Sequence, residues 1–499
     1  MAASFPKFGQ PAFAWIAIAP LLVAVATRVS SAGGRVRVAW LGLLTGIVYF
    51  AGTVYWVVGV MATYGGLHPI VAGFVAFLFV AYLALYPAVF AILVGRAVRR
   101  FGVKGVWLAP FFWVATEWVR SWLGTGFPWV LLGTSQSRVV SIAQLASVTG
   151  VYGLSFLLAL VSAAAAAVAL SRRRAHVWGA LASGAIVLAI AGIGSARVST
   201  GALTTHGRVL RVGLVQGSVE QDVKWNAAYR EAIISRHLGL TREALVRGAG
   251  LIVWPESSTP FLFEADADLA TPVRRLAQET RTPFVIGTDE ITRERAGAAD
   301  VNRAYNSAML VGADGLTHGS YRKMHLVPFG EYVPLKRLLF FVAPLIEQVS
   351  DFSAGTDPVL LDISAGGGRV PGTISVSICY ESVYPGIARG FVARGSELLV
   401  TITNDAWFGR SSAAYQHFEQ GALRAVEEGR YFVRAANTGV SGVVDPYGRV
   451  LVETPLFEAT QVVADVRLLD GRTIYSRTGD LIVWLSVAVT LLTALRRRT

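Results

Sequence analysis

Residues 373–381 read Thr-Ile-Ser-Val-Ser-Ile-Cys-Tyr-Glu, and Cys379 within them is the only cysteine among 499 residues. β-branched and small residues alternate along 373–379, which is typical of a β-strand that ends at the cysteine. A single cysteine forms no internal disulfide, and it excludes a zinc site of the usual cysteine-rich kind. The Cys379 thiol is therefore either a packing residue in a core or a nucleophile.

Strands and helices alternate on both sides of this stretch, and polar turns separate them. We predict strands at 209–216, 251–254, 284–286, 307–311, 373–379, 398–403 and 440–444, and helices at 227–246, 268–279 and 414–436. This alternation predicts an α/β domain whose functional side chains lie at the ends of strands.

The rest of the chain is much more apolar. Overall, 54% of the residues are hydrophobic and 15% are charged, whereas a soluble protein carries about a quarter charged residues. Apolar stretches near the roughly 20 residues that cross a bilayer lie at 12–27, 38–60, 69–95, 105–123, 140–170, 177–196 and 479–495. We therefore predict a transmembrane bundle of about six spans at 1–200, an α/β domain at 206–470, and a C-terminal transmembrane helix at 479–495.

The net charge of +13 is concentrated in every second loop, which argues against nucleic acid as a partner. These basic clusters are Arg28, Arg35 and Arg37; Arg96, Arg99, Arg100 and Lys104; Arg172, Arg173 and Arg174; and Arg496, Arg497 and Arg498. The intervening loop at 62–68 contains no lysine or arginine. Basic loops stay in the cytoplasm, so this pattern predicts that the 206–470 domain lies outside it.

Three residues after predicted strands form a possible acyl-transfer set. A carboxylate such as Glu256 can remove the proton from a thiol such as Cys379. The ammonium of Lys323 can stabilise the oxyanion that forms on an attacked carbonyl. Taken singly, Glu256 could cap a helix and Lys323 could be solvated in a loop.

The motifs around these residues are similar to those of the nitrilase (carbon–nitrogen hydrolase) superfamily. The motifs are Trp254-Pro-Glu256, Lys323-Met-His-Leu-Val-Pro-Phe-Gly-Glu-Tyr332 and Cys379-Tyr-Glu381. Further motifs resemble one membrane-bound branch, the bacterial apolipoprotein N-acyltransferases: Thr125-Gly-Phe-Pro-Trp129, Asn404-Asp-Ala-Trp-Phe-Gly409, Gln416-His-Phe418 and Asn437-Thr-Gly439. The resemblance covers nearly the whole chain.

The resemblance implies an αββα nitrilase-like sandwich inserted before the last span of a transmembrane bundle. It implies transfer of a fatty acyl chain from a phospholipid, through a cysteine thioester, to the α-amino group of a diacylglyceryl-cysteine at the N-terminus of a lipoprotein. Cys379 would be the nucleophile, Glu256 the general base and Lys323 the oxyanion stabiliser. Four supporting residues also match family motifs: Glu331, Tyr380, Glu381 and Trp225.

The same resemblance implies a multi-pass protein of the bacterial inner membrane, with its catalytic domain on the periplasmic face. The scheme uses no cofactor, metal or nucleotide, and we expect a monomer. Family members usually have one more hydrophobic helix ahead of a Phe-Pro-type segment. Here Ser4-Phe-Pro6 stands almost at Met1, so we count seven spans, and the N-terminus would start on the outer side. Either the start is truncated or misassigned, or this member lacks the first helix.

Contacts with lipid are predicted at several other positions. Glu117 and Arg120 lie near the end of the fourth predicted span and are expected either to contact lipid headgroups or to form an anchor pair near the interface. Asn404, Trp407 and Phe408 are further predicted substrate contacts. The apolar segments 261–263 and 339–345 are expected to dip towards the bilayer, although each could instead be ordinary core.

Two other functions use the same sequence features. A membrane-tethered amidase would have the same three residues, and water would release its acyl group. A catalytically inactive membrane scaffold would retain the fold without the chemistry. Acyl-chain length, headgroup preference and essentiality are not determined by the sequence.

Overall fold

The computed structural model describes residues 1–30, 33–296, 299–332 and 352–495. The chain divides into two compact units. The helical unit comprises Met1–Thr63, Leu67–Gly201 and Thr473–Thr499, and the sandwich unit comprises Tyr64–Gly66 and Ala202–Arg472.

The helical unit contains five described stretches that are long and apolar enough to cross a membrane. They are Pro11–Arg28, Gly34–Val54, Pro69–Arg120, Ala146–Leu170 and Arg174–Thr205, and a shorter apolar helix covers Leu481–Leu495. The predicted spans 69–95 and 105–123 fall in one of these stretches, as helices Pro69–Phe101 and Ala109–Arg120 joined by a 3-10 segment. The second is shorter than expected because Pro110, which lacks an N–H, starts a new helix there.

Helices Gly34–Val54 and Pro69–Phe101 pack at close range through small residues. A Cβ atom at Gly42 would lie 2.4 Å from the carbonyl oxygen of Pro87, and one at Gly46 would lie 2.6 Å from the Cα of Ala84. Small residues let membrane helices approach in this way, because association between them relies on packing rather than on exclusion of water.

Glu117 and Arg120, predicted from the sequence to contact lipid headgroups, are buried. Their exposed fractions are 4% and 2%. Arg120 Nη1 donates to the carbonyl oxygens of Phe127 and Trp129 at 2.7 and 2.8 Å, and Glu117 Oε1 accepts from the Leu132 N–H at 2.7 Å. The pair therefore holds the loop that follows its helix, and its contact with headgroups stays a prediction.

The sandwich unit consists of two six-stranded sheets within the described residues. In chain order the strands are β1 (Arg208–Gln216), β2 (Leu251–Val253), β3 (Phe284–Ala296), β4 (Ala299–Val311), β5 (Thr317–Arg322), β6 (Leu360–Asp362), β7 (Thr373–Ile378), β8 (Leu398–Thr403), β9 (Phe432–Ala436), β10 (Gly442–Val444), β11 (Val450–Glu453) and β12 (Thr460–Leu468). The first sheet has the order β12-β1-β2-β3-β4-β5, and the second has the order β11-β10-β9-β8-β7-β6.

Parallel strands lie at the centre of each sheet. β1, β2 and β3 are parallel in the first sheet, and β7, β8 and β9 are parallel in the second, whereas the outer pairs are antiparallel. The carboxyl ends of parallel strands meet at one edge of a sheet, where open α/β sheets usually place their functional loops.

The hydrophobic cores follow the two-residue period of these strands. Val253 of β2 and Val376 of β7 are buried in a core shared by both sheets, whereas Ile252 packs on the opposite face. Helices Arg230–Val246 and Ala267–Thr280 bury apolar side chains against the outer face of the first sheet. Helices Pro385–Ala393 and Ala413–Glu428 cover the second sheet, which completes an αββα layering.

Two sequence expectations differ from the observed elements, and a third is not tested. The helix predicted at 414–436 ends at Glu428, because Gly429 adopts a left-handed conformation (φ 63°) and the chain returns as β9. The segment 261–263 does not form an exposed apolar surface, since Phe261 and Phe263 are buried in the core behind the first sheet. The segment 339–345 lies outside the described residues.

Gly287 on β3 provides a test of this packing. A Cβ atom there would lie 2.2 Å from the carbonyl oxygen of Pro255 and 2.7 Å from the Cα of Glu256. We expect Gly287→Ala to lower the free energy of unfolding by about 1–3 kcal/mol through overpacking. Thermal unfolding in detergent, followed by circular dichroism, measures the change.

Gly239→Ala is the matched control, since Gly239 lies in helix Arg230–Val246 with no atom within 4 Å of its Cβ position. It should stabilise the protein by about 0.5–1 kcal/mol, as alanine does in a helix interior. Equal melting temperatures for the two variants would contradict the close contact at Gly287.

Candidate active site

The ends of three strands carry the three residues of the predicted acyl-transfer set. Glu256 follows β2, and Lys323 comes directly after β5, in the first sheet. Cys379 comes directly after β7 in the second sheet. Lys323 Nζ lies 3.3 Å from Glu256 Oε1, and both Glu256 and Lys323 interact electrostatically with Cys379. The structure therefore brings all three residues into one site.

The Glu256 carboxylate is buried and held by three donors. Its Oε1 accepts from Asn306 Nδ2 at 2.7 Å and from Lys323 Nζ at 3.3 Å, and its Oε2 accepts from the Asn404 N–H at 2.8 Å. Asn404 follows β8 in the opposite sheet, so donors from both sheets hold this carboxylate. Such contacts stabilise the ionised form of a carboxyl group and fix its orientation.

A second carboxylate, that of Glu331, shares the Lys323 ammonium. Lys323 Nζ donates to Glu331 Oε1 at 2.8 Å, and Asn306 Nδ2 donates to the same oxygen at 2.9 Å. Burial by itself disfavours the charge on Lys323, whose exposed fraction is 1%, but Glu331 and Glu256 outweigh burial and raise the pKa of the lysine. The ammonium therefore stays protonated at neutral pH.

Cys379 occupies a strained turn at the start of the 3-10 helix Cys379–Val383. Its φ of 53° is left-handed, which costs a non-glycine residue about 1–3 kcal/mol. The whole residue is partly exposed, but the protein packed around the thiol raises its pKa. The Glu256 charge raises that pKa further, and Lys323 acts in the opposite direction. The thiol is therefore protonated at neutral pH.

Left-handed backbone conformations also lie beside Glu256 and near Glu331. Ser257, next to Glu256, has a φ of 44°, and Phe329, two residues before Glu331, has a φ of 60°. Left-handed conformations of non-glycine residues persist only where the surrounding contacts determine them, and they cluster at functional sites.

Glu381 connects the Cys379 turn with the Lys323 loop. Its Oε1 accepts from Tyr321 Oη at 2.7 Å and from the N–H groups of Met324 and His325 at 2.8 and 3.0 Å. Its Oε2 accepts from the Ile378 N–H at 2.8 Å. This fully buried carboxylate therefore fixes the backbone on both sides of the site rather than facing it.

The remaining predicted site residues fall into two groups. Tyr380 and Asn404 are buried: the Tyr380 ring packs against His325 and Tyr384, and the Asn404 side chain donates to Gln221 Oε1 at 2.8 Å. Three aromatic residues keep exposed surface. Trp225 is 47% exposed, Trp407 is 39% exposed, and Phe408 is half-buried.

Two residues of the site, Asn306 and Lys224, were not singled out from the sequence. Asn306 bridges both carboxylates from within the otherwise apolar end of β4, and an amide in such a run is the signal that could have identified it. Lys224 is buried and its Nζ donates to the Glu256 carbonyl oxygen at 3.2 Å. Burial lowers its pKa to about 8.

Family models match both parts of the chain. Residues 1–164 match the apolipoprotein N-acyltransferase N-terminal domain, and residues 211–474 match the carbon–nitrogen hydrolase family. A protein of Geobacter metallireducens named apolipoprotein N-acyltransferase is 39% identical over 494 residues, which cover 98% of this chain and 91% of that protein. The chain belongs to the apolipoprotein N-acyltransferase family.

A second relative gives the same result. A Methylococcus capsulatus protein of the same name is 34% identical over 95% of this chain and 90% of its own length. The family models and these relatives confirm the predicted membership, and the carbon–nitrogen hydrolase match with the apolar helices confirms the predicted nitrilase-like fold. Among solved structures, a mutant amidase of the nitrilase superfamily from Nesterenkonia AN1 aligns with 53% of this chain and 93% of its own, with 21% identity and a TM-score of 0.38.

Replacement of Glu381 tests its connecting role. In Glu381→Gln an amide NH₂ must face either the three donors at Oε1 or the Ile378 N–H. We expect a loss of about 1–3 kcal/mol in the free energy of unfolding, because a buried donor then lacks its acceptor. Thermal unfolding measures the change.

The matched control is Glu264→Gln, which makes the same chemical change at a half-exposed carboxylate paired with Arg274. Exposed ion pairs contribute about 0–1 kcal/mol. If both variants unfold at the temperature of the unaltered protein, Glu381 does not hold the two loops together.

The protonated state of the thiol predicts a pH dependence of alkylation. The pKa of Cys379 is raised, so the thiolate fraction at neutral pH is small and grows about tenfold per pH unit. The rate of reaction with iodoacetamide should therefore rise from pH 7 to pH 9 without a plateau. Intact-protein mass spectrometry measures the rate without background, because no second cysteine exists.

The unfolded protein in denaturant is the control for this measurement. Its thiol should titrate near the ordinary value of about 8.5 and level off above it. A plateau below pH 8 in the folded protein would show that Cys379 is instead held as a thiolate.

Proposed function

We propose that this chain is an apolipoprotein N-acyltransferase that carries a fatty acyl group on Cys379 between a phospholipid and the N-terminal amine of a diacylglyceryl lipoprotein. The observation that carries the proposal is one buried site in which Glu256, Lys323 and Cys379 meet, in a chain that belongs to this family. The exposed apolar side chains of the helical unit, such as Phe74 and Leu188, support lipid substrates.

In the first step the Cys379 sulfur attacks the carbonyl carbon of a phospholipid ester. Glu256 takes the thiol proton as the carbon–sulfur bond forms, and Lys323 donates a hydrogen bond to the oxyanion. The carbon–oxygen bond of the ester then breaks, and Glu256 returns the proton to the departing alcohol oxygen. The products are a lysophospholipid and a thioester on Cys379.

In the second step the neutral amine of the lipoprotein attacks the thioester carbon. Glu256 accepts a proton from the attacking nitrogen, the carbon–sulfur bond breaks, and the sulfur recovers a proton. An amide is formed and the free thiol is restored. One thiol serves both substrates in turn, so ping-pong kinetics are expected.

The neighbouring residues support these roles. Glu331 and Asn306 hold the Lys323 ammonium and the Glu256 carboxylate in contact. Lys224, which donates to the Glu256 carbonyl oxygen, adds positive charge near the thiol. The Tyr380 ring packs against His325 and Tyr384 beside the Cys379 turn. The exposed rings of Trp225, Trp407 and Phe408 are proposed contacts for lipid chains. Asn404 is proposed to act through Glu256.

We place this enzyme in the bacterial inner membrane, with the sandwich unit as an extracytoplasmic catalytic domain. The basic clusters in alternate loops support that orientation, because basic loops remain on the cytoplasmic side. The proposed donor and acceptor both carry lipid chains, so catalysis at the outer face of the inner membrane suits them.

The decisive measurement is the acyl-enzyme itself. Incubation with a defined phospholipid should add one fatty acyl mass to Cys379, and a diacylglyceryl lipopeptide should discharge it. Cys379→Ala should remove the adduct completely. Glu256→Gln should slow its formation by about 10²–10⁴-fold, because the base that takes the thiol proton is lost.

Glu264→Gln is the matched carboxylate control and should acylate at the unaltered rate. Discharge by water as fast as by the lipopeptide amine would replace the proposal with a membrane-tethered amidase. Absence of any adduct, with N-acylation of lipoproteins in cells unaffected by Cys379→Ala, would indicate an inactive scaffold.

A further inference from the structure

A buried charged cluster lies behind the Cys379 turn, on the side of the second sheet. It consists of Asp405, His417 and Arg434, which are contributed by the loop after β8, the helix Ala413–Glu428 and β9. Their side chains are fully buried. Arg434 Nη2 donates to Asp405 Oδ2 at 2.6 Å, and His417 Nδ1 lies 3.0 Å from Asp405 Oδ1.

This cluster contacts Cys379 directly through His417 and indirectly through Thr403. His417 Nε2 lies 3.0 Å from the Cys379 carbonyl oxygen, which also accepts from Ser382 Oγ at 3.0 Å. The Thr403 side chain hydrogen-bonds to the Cys379 side chain and donates to Asp405 Oδ1 at 3.0 Å.

The partners of His417 show which ring nitrogen donates to the Cys379 turn. A carbonyl oxygen only accepts, so Nε2 carries a hydrogen. Nδ1 lies 3.0 Å both from Asp405 Oδ1, which accepts, and from Arg434 Nη2, which donates. Burial is the main effect that lowers the pKa of His417, Arg434 lowers it further, and Asp405 opposes both.

We propose that His417, whose Nε2 donates to the Cys379 carbonyl oxygen, acts with Ser382 as a positioning residue that fixes the left-handed turn of Cys379. This inference rests on the proposed function, because it assumes that Cys379 is the nucleophile. Two donors on one carbonyl oxygen determine the direction of that peptide group. The contacts thereby offset the strain of the turn and aim the sulfur.

A pair of amide substitutions tests this role. In His417→Gln the side-chain nitrogen can occupy the position of Nε2 and still donate to the Cys379 carbonyl oxygen. In His417→Asn the same amide reaches only the position of Nδ1. The two variants carry the same neutral amide and differ by one methylene group, which decides whether the amide reaches the Cys379 carbonyl oxygen.

We expect His417→Gln to form acyl-enzyme within about fivefold of the unaltered rate. His417→Asn should slow it about 10²-fold, as a misplaced reacting group does. Because His417 is buried and does not touch the substrate, the KM for phospholipid should stay unchanged while kcat falls. Melting temperatures and the iodoacetamide rate of Cys379 are measured in parallel.

Equal rates for the two variants, or a rise in KM alone, would overturn the inference. If His417→Asn does not fold, Ser382→Ala replaces it: a tenfold slower acyl-enzyme formation supports the inference, and an unaltered rate overturns it. The unaltered enzyme distinguishes a failure of the proposed function from a failure of the positioning role. If it forms no acyl-Cys379, the proposed function fails; if it does and the variants match it, only the positioning role fails.

Discussion

The Lys323 ammonium, buried between the carboxylates of Glu256 and Glu331, is the interaction on which the site depends. One cation is shared by two anions, and Asn306 bridges the same two carboxylate oxygens. A buried charge without a partner costs several kcal/mol, so none of these groups can be removed independently. Burial and, after it, the Glu256 charge raise the pKa of the nearby thiol.

The need to keep these charged groups together explains the hydrogen bonds that connect the two sheets. Glu256 and Lys323 come from the first sheet, and Cys379 comes from the second. Glu381 joins the Lys323 loop to the end of β7, and the Asn404 N–H joins Glu256 to the end of β8. Relative movement of the sheets would separate the base from the thiol. The interlocked hydrogen bonds between sheets therefore serve catalysis as well as stability.

Local signals predict the α/β alternation and the positions of the proposed catalytic residues, whereas the αββα layering follows only from the family resemblance. Period-two runs indicate β1 and β7, an apolar run indicates β8, and strand ends locate Glu256 and Cys379. Other features depend on tertiary contacts that no local pattern encodes. The helical pattern continues past Gly429, so it predicts helix where the chain forms β9. The contacts of Glu117 and Arg120 with backbone groups of the following loop also have no local signal.

A protonated thiol has a consequence for an enzyme in the proposed location. The thiolate is the form that oxidants attack, and susceptibility follows thiolate character and exposure. A site that kept Cys379 ionised would expose a reactive anion outside the reducing cytoplasm. Burial and the Glu256 charge hold the proton on the sulfur. In the proposed mechanism Glu256 removes that proton only during attack on a carbonyl carbon, so the same carboxylate would protect the resting thiol and activate it during attack.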